Sequence, residues 1–169
     1  MAHDLFSFDP SVLLVHNGAG DYRPADADEV LRAAQRLLSE QLRGCEVLSS
    51  PQVVRDFLQV KLGALQHEVF AVLMLDAQNR VIEYVELFRG SVSQTSVYPR
   101  EVVKESLARN AAALILVHNH PSGVTEPSRA DEFLTQTLKT ALSLVDVRVL
   151  DHMVVAGTEL VSFAERGLL

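Results

Sequence analysis

Near the middle of the chain the apolar run Ala113-Leu114-Ile115-Leu116-Val117 leads into His118-Asn119-His120, then Pro121-Ser122-Gly123, and a little later Ser128 and Asp131. Alternate residues of an extended strand share a side, so His118 and His120 can both offer an imidazole nitrogen to one ion while Asn119 points the other way. Zinc takes nitrogen and oxygen ligands in tetrahedral geometry, and a catalytic site keeps three protein ligands and one water position. Pro121-Ser122-Gly123 turns the chain off the strand, and Pro127-Ser128 opens a helix running from about Ser128 to Leu144. Asp131 then falls in the first helical turn and is the natural third ligand. An acid there is also favoured by the helix dipole alone, and a His-x-His pair beside an apolar strand is often just packed. The convergence of both histidines and Asp131 on one point favours the metal.

The stretch HNHPSGVTEPSRAD, His118 to Asp131, resembles the signature of the JAMM (MPN+) metalloprotease family: His-x-His, seven residues, Ser, two residues, Asp. With Tyr98-Pro99-Arg100-Glu101 upstream and Leu150-Asp151-His152 downstream, the chain is similar to the bacterial RadC-like (UPF0758-type) branch, in the short form often found on mobile elements. The motif resemblance runs from about Val47 to Leu169. It does not extend over the first forty-odd residues, where longer members carry a helix-hairpin-helix DNA-binding segment, and no such pattern is legible there. The resemblance implies a cytidine-deaminase-like (JAB1/MPN) fold and one Zn2+ held by His118, His120 and Asp131. It implies hydrolysis of amide or isopeptide bonds by a zinc-activated water.

A metal-activated water still needs a carboxylate to carry its proton to the leaving amine. Glu68 is the candidate, because the family places its catalytic Glu on an early strand about fifty residues before the first histidine. Glu86, on the neighbouring strand, is the rival, and a Glu at a strand start is commonly just solvated. Ser128 has two compatible roles. As helix cap it contributes about 1 kcal/mol; in the family pattern the same serine steadies the oxyanion, and losing one such donor slows a reaction about a hundredfold or more. Ser122 reads as a turn serine. Asp151 is placed to orient a ligating histidine from behind, whereas His152 as a fourth ligand would close the water position and is not expected to bind the metal. His3, His16 and His67 read as surface or linker residues.

Composition narrows the alternatives. The chain has 169 residues, 48% of them hydrophobic, which suits one globular domain and a short extra segment: residues 1–46 as an N-terminal arm and helix, residues 47–169 as the RadC-like MPN domain. A net charge of −7 does not support general affinity for nucleic acid or anionic membranes. The single cysteine, Cys45, excludes an internal disulfide and a multi-cysteine metal site. No signal-like opening and no membrane-length apolar run is present, so a cytoplasmic location is expected. A peptide or protein substrate is expected. The competing reading is a DNA-repair or mobile-element accessory protein that uses the zinc fold for binding. An HNH nuclease is a coincidence of letters, and a deaminase would need a Pro-Cys-x-x-Cys ligand pair that the chain lacks. Oligomeric state is not readable.

The elements that must position these residues follow from periodicity. Val12 to Val15 is apolar and a Gly-rich polar passage follows to Asp28; a helix is predicted from there to about Leu42, packed on the main domain. Ser50-Pro51 begins a helix ending near Gly63. Val69–Leu75 and Val81–Phe88 are predicted as a hairpin turning at Asp76–Arg80, and Pro99 opens a helix to about Ala111. Ala113–Val117 is a strand covered on both faces, Val145–Ala156 another, and Val161–Phe163 closes the sheet. The fold class is α/β, with a mixed β-sheet flanked by helices.

Overall fold

The central strands are apolar along their whole length, and their place in the fold follows from that. In the computed structural model, which describes residues 13–16, 18, 20–91 and 96–169, β3 (Val69–Leu75) and β5 (Ala113–Asn119) are buried at every position. Such strands need a neighbour on each edge and a layer on each face. Both are supplied. A five-stranded sheet runs in the order β4-β3-β5-β6-β7, with β4 (Val81–Arg89) on one edge and β6 (Arg148–Ala156) and β7 (Glu159–Ser162) on the other side. Only β5 and β6 pair in parallel; the other neighbours are antiparallel, so the sheet is mixed.

One face carries α1 (Ala27–Leu42) and α2 (Pro51–Leu62), whose Leu42, Val54, Phe57, Leu58 and Leu62 pack on Ala71, Leu73, Ile115 and Val117. The opposite face carries α3 (Pro99–Ala108) and α4 (Arg129–Ser143), with Val102, Leu138 and Leu142 packed on Phe70, Val72, Leu114 and Leu116. Alternation along β3 and β5 thus divides the core in two, each buried aliphatic side chain contributing about 1.5–3 kcal/mol. The helices over β5 and β3 set which face any polar side chain at the strand ends must meet.

Helix starts follow the sequence closely. Asp26 caps α1 in a box with Glu29, which Arg23 grips with two hydrogen bonds of 2.8 and 2.6 Å. Pro51 opens α2 and Pro99 opens α3. Two expected boundaries move. Helix α3 ends at Ala108 rather than Ala111, because Asn110 takes a left-handed φ of 51° and the Ala111 amide turns back to the Ser106 carbonyl. Strand β6 begins at Arg148 rather than Val145, because Asp146 at φ 58° ends α4 in the same way, with the Val147 amide bonded to Leu142. Asn and Asp are the non-glycine residues that tolerate this region best. Ahead of α1, β1 (Leu14–His16) and β2 (Tyr22–Pro24) form a small hairpin that the Gly-rich passage did not announce; Val12 and His3 lie outside the described residues. Among the described residues, no helix is long and apolar enough to cross a membrane.

Candidate metal centre

Strand β5 runs two residues beyond its apolar stretch, through His118 and Asn119, and the His120 amide continues the ladder onto the Val155 carbonyl. Alternation does the sorting. His118 is cross-strand partner to Phe70 and Val154 and faces the α3/α4 layer; Asn119 faces the other way. The chain then turns on Gly123, at φ 80°, whose amide bonds the His120 carbonyl. This turn returns the Val124 carbonyl to within 2.6 Å of His120 Nδ1, so the neutral ring carries its proton there and leaves a lone pair on Nε2. Asp131 arrives from the first turn of α4, where Ser128 is the N-cap.

Three ligand atoms therefore meet. His118 Nε2 and His120 Nε2 are 2.9 Å apart, Asp131 Oδ1 is 3.3 Å from the first, and Asp131 Oδ2 is 3.7 Å from the second. Tetrahedral zinc with bonds of roughly 2.0–2.1 Å would space its donors by about 3.3 Å, so two imidazoles and a carboxylate at these separations fit one such ion. His118, His120 and Asp131 form the one His/Cys/Asp/Glu group among the described residues with this convergence. The site is a His-His-Asp group that could hold a metal ion.

The electrostatics agree with the geometry. Burial acts to raise the Asp131 carboxyl, but where the rings carry a second proton, hydrogen bonds from His118 and His120, the His118 charge and the Ser128 hydroxyl outweigh it and hold the group well below the usual carboxylate range. His120 is raised, first by its bond with Asp131, against burial, with the Val124 carbonyl and the charges of Asp131 and Glu68 adding to it. The carboxylate is also oriented. Asp131 Oδ2 accepts from the Ser128 amide at 2.7 Å and from the Ser128 hydroxyl at 2.6 Å, while Ser128 Oγ accepts from the Asp131 amide. One capping box thus serves the helix start and the ligand together.

Glu68 lies just before β3, at the end of the sheet where β5 delivers its histidines. Its backbone pairs with Ser91 and Gly90, prolonging the β3–β4 ladder. On either side of it, Asn119 donates Nδ2 to the His67 carbonyl at 3.0 Å and accepts the Val69 amide on Oδ1 at 2.8 Å. The middle residue of the His-x-His triplet thus holds the segment that carries Glu68. Glu86 sits on the opposite face, where Lys61 of α2 pairs with it at 3.3 Å and the Tyr84 hydroxyl reaches it at 3.4 Å. Among the described residues, Ser122 makes only the turn contact to the Val124 amide, and His16 lies on the exposed hairpin against Tyr22.

One residue behaves differently from expectation, and His152, as expected, stays out of the ligand group. Asp151 orients no ligating histidine: its carboxylate accepts from the Ser162 hydroxyl and from the amides of Ala164 and His152, and burial raises it against those bonds. The contact behind His118 is made by His152 itself, fully buried, with its Nε2 2.8 Å from His118 Nδ1 and its own Nδ1 2.6 Å from Thr135 Oγ1. Burial, with the His118 and His120 charges, depresses His152 well below an ordinary imidazole. Thr135 could have been found as the residue one helical turn after Asp131; nothing in the local sequence pointed His152 at His118. Beside His120 an open groove of about 490 Å³ is lined by Gly63, Ala64, Leu65, Gln66, Pro121, Gly123 and Gly157. A Cβ on Gly63 would sit 2.1 Å from the Gly157 carbonyl oxygen, so only glycine lets α2 and the β6–β7 turn meet there.

The sequence profile of the RadC-like JAB domain matches residues 48–168. A UPF0758 protein of Leptothrix cholodnii is 62% identical over 165 residues, covering 98% of this chain and 74% of its own length. Another, from Methylibium petroleiphilum, is 59% identical over 165 residues with the same coverage, and one from Aromatoleum aromaticum is 60% identical over 153 residues, covering 90% of this chain and 68% of its own. Similarity to such relatives runs through the N-terminal segment, which the motif resemblance alone did not reach.

Proposed function

The chain belongs to the RadC-like JAB domain family, and from that premise we propose that it is a zinc-dependent hydrolase of amide bonds acting on a peptide or protein. The observation that carries this reading is the convergence of His118 Nε2, His120 Nε2 and the Asp131 carboxylate. When bound there, zinc would supply a Lewis acid for the scissile carbonyl and lower the pKa of a coordinated water toward about 7.

The protein's own groups do the rest. Glu68 takes the nucleophile's proton and delivers it to the leaving nitrogen; the effect of its charge on His120 supports this placement, and the Lys61 pair on the far face speaks against Glu86. Asn119 keeps the Glu68 segment against β5. Ser128 orients Asp131 in the resting arrangement and, by turning its hydroxyl, donates to the oxyanion. The groove beside His120, walled by glycine, alanine and proline, lets an extended backbone approach closely. The charge of −7 argues for a protein partner over a nucleic-acid backbone.

Metal analysis tests the first half: purified protein should carry one zinc per chain and His118→Ala should carry none. Incubation with a peptide library, and with single- and double-stranded DNA, tests the second. Cleavage of peptides by wild type, lost in Glu68→Gln with zinc retained, is expected. DNA binding without peptide cleavage would replace the hydrolase by an accessory binder.

A further inference from the structure

Behind His118, on the side away from the ligand cluster, runs a buried chain of polar atoms that ends on the backbone of another ligand. His118 Nδ1 is 2.8 Å from His152 Nε2, His152 Nδ1 is 2.6 Å from Thr135 Oγ1, and Thr135 Oγ1 is 2.6 Å from the Asp131 carbonyl oxygen. We propose that Thr135 and His152 are positioning residues that hold His118 in the Nδ1–H tautomer and tie its ring to Asp131. This inference rests on the metal reading of His118, His120 and Asp131.

The direction of each bond is forced from one end. The Asp131 carbonyl has no proton, and two oxygens 2.6 Å apart need one between them, so the Thr135 hydroxyl donates to it. Its single proton spent, Thr135 Oγ1 can only accept from His152, so His152 carries its proton on Nδ1. The His152 ring is fully buried, against Phe163 at 4.6 Å and Phe70 at 5.9 Å between ring centroids, a setting for a neutral imidazole. Its Nε2 is then bare, and the proton shared with His118 belongs to His118 Nδ1. What remains on His118 Nε2 is a lone pair aimed at Asp131 and His120.

That the bond to the Asp131 carbonyl is not merely helical habit follows from its neighbours. Thr137 and Thr140 in α4 make the same contact four residues back, but at the surface. Only Thr135, among these three, is buried and has an imidazole nitrogen on its other side. With the Val124 carbonyl fixing His120 in the same tautomer, two bare Nε2 atoms 2.9 Å apart face a carboxylate. Three lone-pair donors so close repel one another until a cation joins them. Partners of this kind behind a ligating histidine alter metal affinity by about 10–100-fold when removed.

The deciding measurements are long-range 15N–1H spectra of the metal-free protein at about pH 8, above the ordinary imidazole range near 6.5, and zinc affinity by competition with a chelator. Wild type should show both His118 and His152 protonated on Nδ1. Thr135→Val, nearly isosteric, should shift the His152 tautomer and weaken zinc by about 10–100-fold, while Thr135→Ser, which keeps the hydroxyl, restores both. Thermal melting of the metal-free variants separates tautomer loss from unfolding. A His152 protonated on Nε2 in wild type, or Thr135→Val binding zinc as wild type does, overturns the relay. Wild type that takes up no zinc overturns the metal reading itself, and the ligand role of the relay with it, whatever the tautomers.

Discussion

The two ends of the sheet are both polar, and they are built in opposite ways. At the hairpin end, Asp76 Oδ1 accepts the Gln78 and Arg80 amides, Arg80 pairs with Asp76 at 2.8 Å, and Arg148 reaches Asn79; all these groups are at least partly exposed. At the histidine end, His118, Asn119, Thr135 and His152 are buried and bonded across strands and helices distant in sequence. Exposed polar contacts exchange one set of water-like partners for another and are individually weak. Buried ones have no water to fall back on, so each partner is needed and the set acts together. The hairpin end closes the chain; the histidine end holds a geometry.

Substitutions can break this contrast. The largest effect is expected from Asp131→Ala, which removes a ligand and the reciprocal half of the α4 cap: zinc affinity should fall by more than about 100-fold, with about 1 kcal/mol of stability lost from the metal-free protein. Retained tight zinc binding would show the three-ligand convergence to be incidental. Next comes Asn119→Ala. It strands the Val69 amide and the His67 carbonyl, at about 1–3 kcal/mol each, so urea unfolding should report a loss of about 2–6 kcal/mol while zinc affinity stays near wild type, since Asn119 faces away from the ligands. A loss under about 1 kcal/mol would mean that water replaces the amide there and the two ends of the sheet are alike.

A smaller effect tests the buried carboxylate of Asp151. Its folded pKa is raised by burial above an unfolded value near 3.8, so its contribution to stability is present below that value and is lost as pH rises through the folded one. The Asp151→Asn variant keeps acceptor and donor positions for His152, Ala164 and Ser162 without the charge. Melting temperatures of the metal-free proteins should therefore show wild type losing ground to the variant as pH rises above about 4; a difference independent of pH would contradict the assignment. The smallest effect belongs to the hairpin end: Arg80→Ala should cost less than about 1 kcal/mol by urea unfolding.

Legibility in the sequence follows the same divide. The Asp76–Arg80 turn, the Pro51 and Pro99 helix starts and the Ser128 cap were readable because each is made by residues within a few positions of one another. The convergence of the candidate ligands was readable too, since His118 and His120 are related by strand period and Asp131 by a cap. The choice between Glu68 and Glu86 was not readable, as it turns on which helix lies over which face. Asp151 was the expected support for a ligand because it is acidic and adjacent to His152; the fold spends it on Ser162 and Ala164 instead.

Local chemistry by itself determined the mixed α/β layering, the hairpin, and the two histidines and aspartate that can share a metal, because periodicity and turn preferences act over a few residues. Only the tertiary structure decided that Asn119 clamps residues 67 and 69, and that His152 stands behind His118 with Thr135 behind it. Those contacts depend on the register of β5 against β3 and β6 and on the seat of α4 over the sheet. Register is set by burying both faces of the central strands at once, a condition that no single segment of the chain carries.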